Sequence, residues 1–311
     1  MTAIKGRVRG LTAAMLALSA MSFTAHAADD TVRVGSKIDT EGSLLGNIII
    51  QVLEANGIHT TNKLQLGTTK VVRGAITAGE IDIYPEYTGN GAFFFSNEKD
   101  PAWKNAQAGF DKVKKLDYDQ NKIVWLDPSP ANNTWTIAVR QDVASAHDLK
   151  SLADLGKFIS SGGDFKLAAS AEFIERPDAL PAFENAYGFK LNQQQLLSLA
   201  GGDTAVTIKA AAEKTSGVNA AMAYGTDGPV AALGLQTLED PKGVQPIYAP
   251  APIIREAALK AHPNIPDLLK PVFASLDTKT LQTLNAKIAV DGQDAKKVAA
   301  KYLQDKGFVK K

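Results

Sequence analysis

Cysteine is absent from this 311-residue chain, which excludes disulfides, thiolate metal ligands and thiol nucleophiles. Histidine is scarce, and His59, His147 and His262 show no helical metal-pair spacing and are expected at the surface. No Gly-x-Ser-x-Gly elbow or P-loop occurs, and Gly201-Gly202-Asp203 is typical of a turn entering a helix N-cap. Carboxylate pairs stay open as candidate acids and bases. This shortage of catalytic residues favours a binding protein over an enzyme. We expect no metal and no cofactor.

The chain also lacks a large net charge, because its 34 Lys and Arg residues nearly balance its 33 Asp and Glu residues. Nucleic-acid binding proteins usually carry a clustered basic surface, so this balance argues against that class. The N-terminal region resembles an export signal: a basic start is followed by an apolar run over 11–23 and the small-x-small site Ala25-His26-Ala27. The run is shorter than the about 20 residues of a membrane span, and no cysteine follows it. We expect a signal peptide over residues 1–27 and a free periplasmic protein.

The remaining chain alternates β-rich runs with amphipathic helical patterns, which predicts an α/β fold. One helix is expected from about Glu41 to Asn56-Gly57, and another over 193–199. A strand is expected over 245–248, closed by Pro250 and Pro252. No Gly/Ser-rich or Pro-rich linker separates two halves, so the chain should cross between two lobes on strands. The predicted division gives lobe 1 residues 28–133 plus 243–311 and lobe 2 residues 134–242.

Six short motifs follow one another along the chain. They are Gly35-Ser36-Lys37, the stretch from Gly79 to Gly89 containing Tyr84-Pro85-Glu86-Tyr87, Asn132-Asn133-Thr134-Trp135, Glu175-Arg176-Pro177-Asp178, Tyr224-Gly225-Thr226-Asp227-Gly228 and Tyr248-Ala249-Pro250-Ala251-Pro252. With them the chain resembles the substrate-binding components of osmoprotectant ABC importers, the glycine betaine/choline/proline betaine group, and most closely a glycine betaine-binding branch. The similarity runs from about residue 32 to residue 285.

This resemblance implies a two-lobed periplasmic binding protein of type II, with the ligand in a cleft at the hinge. It also implies an aromatic cage for a quaternary ammonium and basic groups for a carboxylate. By position the cage is Tyr87, Trp135, Tyr224 and Tyr248, and the carboxylate partners are Lys37 and Arg176, with Asn90 nearby. The implied partners are a membrane permease and its ATPase, and a monomer is expected.

The chemistry of a betaine agrees with this division. A trimethylammonium has no N–H to donate, whereas aromatic faces attract it by about 0.5–2 kcal/mol each. A carboxylate needs donors, which Arg and Lys supply. Two basic side chains argue against choline, since buried cations facing a hydroxyl would lack a counter-charge.

Each assigned residue also has a simpler interpretation. Tyrosines at strand ends often pack against the core with the hydroxyl reaching water. We expect Tyr84 to be such a packing residue. Trp135 fits a core strand, Lys37 a solvated position, and Arg176 an ion pair with Asp178 or Glu175. Relatives often carry Asp at position 133, Tyr at 135 and Thr at 90, and losing that Asp would weaken the attraction for a cation.

We therefore expect a receptor that closes on glycine betaine or a related betaine. A choline receptor on the same scaffold is the nearest alternative. An amino-acid or anion receptor and an enzyme acting on small osmolytes are the others.

Overall fold

The computed structural model describes residues 31–310, and the predicted signal peptide lies outside this range. The strands are β1 (Val32–Lys37), β2 (Thr60–Gly67), β3 (Ile83–Tyr87), β4 (Ile123–Trp125), β5 (Trp135–Arg140), β6 (Leu167–Ser170), β7 (Leu196–Leu199), β8 (Ala220–Tyr224), β9 (Leu235–Thr237) and β10 (Pro250–Arg255). The helices are α1 (Thr40–Ala55), α2 (Thr69–Thr77), α3 (Asn90–Phe94), α4 (Ala106–Asn121), α5 (Gln141–Ala146), α6 (Leu152–Ser160), α7 (Ala171–Glu175), α8 (Leu180–Tyr187), α9 (Thr204–Ala212), α10 (Pro229–Ala232), α11 (Glu256–Ala261), α12 (Ile265–Ala274), α13 (Thr278–Ala289) and α14 (Ala295–Asp305).

Within residues 31–310 the strands form two five-stranded sheets of similar design. The first sheet has the order β2-β1-β3-β10-β4 and the second the order β7-β6-β8-β5-β9. In each sheet three neighbouring strands pair in parallel, and a strand from elsewhere along the chain joins them in the antiparallel direction. The helices flank these sheets, so the predicted α/β class is confirmed.

The chain passes between the two sheets twice. It leaves the first sheet after β4 and enters the second at β5, and it returns between β9 and β10. The predicted crossings near residues 133 and 243 lie inside these two segments, but neither segment is a strand, so the prediction that the chain crosses on strands is wrong. The exact division into lobes at those residues stays a prediction.

Helix α1 begins directly after the end of β1. Asp39 is its N-cap, because the Asp39 carboxylate accepts a 2.6 Å hydrogen bond from the Gly42 amide. Its apolar side, including Leu44, Ile48 and Leu53, is fully buried in the core of the first sheet. The helix ends at Ala55 with Asn56 as its C-cap, before Gly57 with φ of 79°, as the Asn56-Gly57 signal predicts.

Two predicted elements are wrong. Residues 196–199 are the strand β7 rather than helix, since they pair in parallel with β6. The segment 245–248 is not a strand, and Pro250 and Pro252 lie inside β10 instead of closing one. Pro252 is opposite Pro85 of β3, while β4 pairs only with residues 253–255 of β10. The prolines are tolerated because the segment after β4 pairs with this stretch of β10 by donating the Leu126 and Ser129 amides to the Pro252 and Pro250 carbonyls, which needs no proline N–H.

No helix among residues 31–310 is both long enough and apolar enough to cross a membrane.

Candidate ligand-binding site

A small cavity lies where strand ends of both sheets meet. Six of the seven residues predicted for the site line it: Lys37, Tyr87, Asn90, Trp135, Tyr224 and Tyr248. The seventh, Arg176, is not among the lining residues. Asp39, Thr69 and Asn133 complete the wall. The sequence therefore identifies most of this cavity, although the roles of its residues stay predictions.

The aromatic residues of the cavity contact one another directly. Trp135 begins β5 and Tyr224 ends β8, and the two are cross-strand partners in antiparallel register. Their rings are nearly parallel, at 19°, with centroids 6.2 Å apart. The Tyr248 ring is tilted by 59° to the Trp135 indole at 5.8 Å. Phe173 meets the indole edge-on at 5.6 Å and fixes its position.

Tyr87 forms another part of the wall, at the end of β3. Its ring lies 4.5 Å from the Lys37 ammonium, and its hydroxyl donates a 3.0 Å hydrogen bond to Glu41. Burial first, and then the charges of Glu41 and Asp39, raise the pKa of Tyr87 well above its usual range. The Tyr87 hydroxyl therefore stays protonated and acts as a donor.

Lys37 is already paired inside the protein. Its ammonium lies 2.6 Å from Glu86, which also accepts hydrogen bonds of 2.7 Å from Asn90 and from the Tyr84 hydroxyl. Burial alone would raise the pKa of Glu86, but the Lys37 charge and these hydrogen bonds outweigh it and lower the pKa. Tyr84 is a packing residue, as predicted, but it is fully buried and its hydroxyl binds Glu86 instead of reaching water.

Arg176 stands behind the wall. Its guanidinium binds Asp178 at 2.6 Å and Glu172 at 3.0 Å, rather than the Glu175 that the sequence offered. It also donates a 3.0 Å hydrogen bond to Asn90. The guanidinium lies against the rings of Phe93 and Trp135, at 4.1 and 4.5 Å from their centroids. Arg176 therefore supports Trp135 and Asn90 from behind.

The Tyr248 hydroxyl is a buried polar group of the wall that has no hydrogen-bond partner among the described residues. The Tyr248 side chain is 4% exposed. Buried donors without partners are rare in folded proteins, because each costs about 1–3 kcal/mol. A ligand with an acceptor group would satisfy this one.

Sequence reasoning missed the acidic residues around the cavity. Asp39 lines it, and burial raises the pKa of its carboxyl to about 7. Asp227 accepts a 2.7 Å hydrogen bond from the Tyr224 amide, and burial raises its pKa to about 8. Glu41 lies behind Tyr87 and Asn133, to which it is hydrogen bonded. The N-cap pattern Asp39-Thr40-Glu41 was the one available signal, because it put two acids beside the end of β1.

His59 and His147 are exposed and His262 is half-buried. No group of three or more acidic or histidine side chains among residues 31–310 is arranged to hold a metal ion.

Comparison with known proteins gives a consistent result. The chain is 73% identical over 296 residues to the glycine betaine-binding protein YehZ of Escherichia coli K12, covering 95% of this chain and 97% of that protein. It is 30% identical over 282 residues to a glycine-betaine-binding protein of Pseudomonas aeruginosa PAO1, covering 89% and 88%. The solved structure of apo YehZ from E. coli matches with a TM-score of 0.66 at 75% identity, covering 90% of this chain and 99% of that one.

The family model that describes the substrate-binding domain of ABC-type glycine betaine transport systems matches residues 30–305. This range includes both sheets and every residue of the cavity wall. The type II binding-protein fold predicted above is thereby confirmed. The chain belongs to the family of substrate-binding domains of ABC-type glycine betaine transport systems.

Proposed function

We propose that this chain is a periplasmic receptor that binds glycine betaine or a related quaternary-ammonium compound for an ABC importer. The observation that carries the proposal is the convergence of Tyr87, Trp135, Tyr224 and Tyr248 on one cavity. Family membership and the names of the 73% and 30% identical relatives support it.

The trimethylammonium end of the ligand contacts the aromatic wall. Its methyl groups cannot donate ordinary hydrogen bonds, but they can pack against ring faces, each worth about 0.5–2 kcal/mol. Trp135 and Tyr224 lie too close together for a cation between their faces, since their centroids are 6.2 Å apart. The ammonium therefore lies beside this pair, in the space bounded by Tyr87 and Tyr248.

The carboxylate end faces Lys37 and Asn90, with the Arg176 charge directly behind Asn90. Lys37 and Arg176 are already paired with carboxylates, so they supply positive potential rather than unused bonds. We assign the Tyr248 hydroxyl to this end as a donor; the Trp135 indole N–H is another buried donor of the wall without a partner among the described residues. Tyr248 packs close to Gly89, beside Asn90, which puts its ring near the predicted carboxylate partners.

The movement we propose is closure of lobe 1 (28–133 and 243–311) and lobe 2 (134–242) over the ligand. Polar contacts already join helices and loops of these two parts. Thr40 donates a 3.3 Å hydrogen bond to Asp203, and the Gln282 amide donates a 2.9 Å bond to the Gly225 carbonyl. The closed form presents both lobes to the permease, and no bond of the ligand is made or broken.

We further propose cleavage after Ala27 and release of a free monomer into the periplasm. Intact-mass measurement of the exported protein should give a chain beginning at Ala28, and light scattering should give one copy. Retention of the signal in the mature protein would contradict the first expectation, and a stable dimer the second.

Calorimetry of the mature chain with glycine betaine, proline betaine and choline tests the ligand. We expect binding of a betaine, lost in Trp135→Ala or Tyr224→Ala and kept in the control Tyr118→Ala, whose ring is exposed and does not line the cavity. Binding that survives both cage substitutions would instead support an amino-acid or anion receptor. Recovery of the unchanged ligand by NMR excludes turnover, whereas a product would overturn the proposal.

One observation favours choline as a second candidate. The objection to choline was that Lys37 and Arg176 would lack counter-charges, but Glu86, Asp178 and Glu172 supply them. Choline binding that survives Arg176→Ala, without binding of any betaine, would identify a choline receptor.

A further inference from the structure

Glu41 is a buried carboxylate beside the aromatic wall. It lies in the first turn of α1 and is 5% exposed. Its Oε1 atom accepts hydrogen bonds from the Tyr87 hydroxyl at 3.0 Å and the Asn133 amide at 2.7 Å, and its Oε2 atom accepts one of 2.7 Å from Asn285. Glu41 makes each of these contacts as an acceptor, as an ionised carboxylate requires.

Glu41 differs from the acids that pair with Lys37 and Arg176 in having no ion-pair partner among the described residues. Glu86 pairs with Lys37, and Asp178 and Glu172 pair with Arg176. No basic side chain of residues 31–310 forms an ion pair with Glu41. A buried charge is costly unless it is compensated, and neutral donors and the N-terminus of α1 compensate it only in part. A cation in the neighbouring cavity would supply the missing compensation.

The two groups that separate Glu41 from the cavity can transmit its charge. Tyr87 and Asn133 both line the cavity and both donate to Glu41. A phenol that donates to a carboxylate carries more negative charge on its ring, and this strengthens its attraction for a cation on its face. At this depth the Coulomb attraction itself is screened much less than in water.

We propose that Glu41 is a positioning and specificity residue that makes the cavity select a cationic over a neutral trimethyl group, acting through Tyr87 and Asn133. This inference rests on the proposed function. It also explains how the site does without an acid at position 133, where the sequence has Asn. In this protein the negative charge is on Glu41, which lies behind Asn133 and is hydrogen bonded to it.

A purely structural role is the competing explanation. Asn133 also donates to Thr226 at 2.7 Å, and Asn285 donates to the Thr226 carbonyl at 3.1 Å, so the network around Glu41 ties α1 and α13 to the loop after β8. Loss of this network would weaken binding of every ligand equally. Loss of the charge would weaken binding of cations selectively.

Two pairs of ligands of matched shape separate these roles. Glycine betaine and 3,3-dimethylbutanoate differ only in a charged nitrogen against a neutral carbon, as do choline and 3,3-dimethylbutan-1-ol. The variant Glu41→Gln keeps the size of the side chain and removes the charge, and the Asn133 amide can turn so that its oxygen accepts from the new amide. We expect the preference for the charged member of each pair to fall by about tenfold or more.

The double variant E41Q/N133D returns the charge to the network. The new carboxylate at position 133 would accept from the new amide at position 41. It would also accept from the Thr226 hydroxyl, whose oxygen lies 2.7 Å from the Asn133 amide nitrogen in the unchanged protein. We expect this variant to recover most of the lost preference. In N133D alone a second carboxylate would face Glu41, so the melting temperature of that variant should fall.

Calorimetric competition among the four compounds gives the result. A reduced charge preference in E41Q that the double variant restores supports the role of Glu41. The role of Glu41 is overturned if E41Q keeps the preference, or if it loses affinity for charged and neutral members equally. It is also overturned if the double variant melts like the wild type but does not regain the preference. Failure of the wild type to bind any charged member would instead refute the proposed function.

Discussion

Replacing Tyr248 by Phe should weaken glycine betaine binding without weakening the fold. The Tyr248 side chain is 4% exposed, and its hydroxyl has no partner among the described residues. Removing this oxygen therefore breaks no hydrogen bond of the free protein. The ring itself, which contacts Trp135 at 5.8 Å between centroids, is retained.

The magnitude follows from what the hydroxyl does in the complex. A hydrogen bond to a charged group contributes about 1.5–3 kcal/mol, and about 1.4 kcal/mol corresponds to a factor of ten in affinity. We expect the Kd for glycine betaine to rise by about 10- to 100-fold. Choline offers a hydroxyl in place of the carboxylate, so its Kd should rise by about tenfold at most.

Calorimetry with both ligands, together with melting curves, checks this prediction. Tyr302→Phe is the matched control, because the buried Tyr302 hydroxyl lies 2.6 Å from the Ser275 hydroxyl and the residue does not line the cavity. That variant should lose stability, by about 1 kcal/mol, and keep its affinity. The reasoning is refuted if Tyr248→Phe binds glycine betaine as the wild type does, or if betaine and choline lose equally.

Three further outcomes are expected. Burial raises the pKa values of Asp39 and Asp227 to about 7 and about 8, so the folded state holds protons that the unfolded state releases above about pH 4. The unfolding free energy should therefore fall as the pH rises from about 4 to 8. In Asp227→Asn the melting temperature should change less with pH over that range. An unchanged slope would show that Asp227 is not the group responsible. In Gly228→Ala the new Cβ would collide with the Gln282 carbonyl oxygen, so the melting temperature should drop by several degrees. The control Gly74→Ala, in α2 with nothing within 4 Å, should raise stability by up to about 1 kcal/mol, and equal effects of the two would contradict the steric argument.

Local chemistry made parts of the fold predictable from the sequence. Asp203 is the N-cap of α9, accepting from the Ala205 amide, as the Gly-Gly-Asp pattern indicates. The α/β class and the C-cap of α1 at Asn56 were predicted on similar grounds. The strand β7 was mistaken for a helix because its pairing partner, β6, lies well before it in the chain and leaves no local signal.

The cavity wall was predicted through resemblance, and its electrostatics were not. Lys37 and Glu86 are 49 residues apart, and Glu41 and Asn285 are 244 apart. No periodicity connects such pairs, because the topology of the two sheets alone brings them together. Lys37 and Arg176 could therefore be located from sequence, whereas their neutralisation by buried carboxylates could not.

The position of β10 has a consequence for the order in which the molecule can form. This strand completes the first sheet between β3 and β4, although all five strands of the second sheet precede it along the chain. A chain that is synthesised from its N-terminus cannot finish the first sheet, and with it the cleft, until residues 250–255 are available to pair with β3 and β4. Until then β3 and β4 lack the strand that joins them, so the first sheet stays incomplete after all five strands of the second sheet have been made.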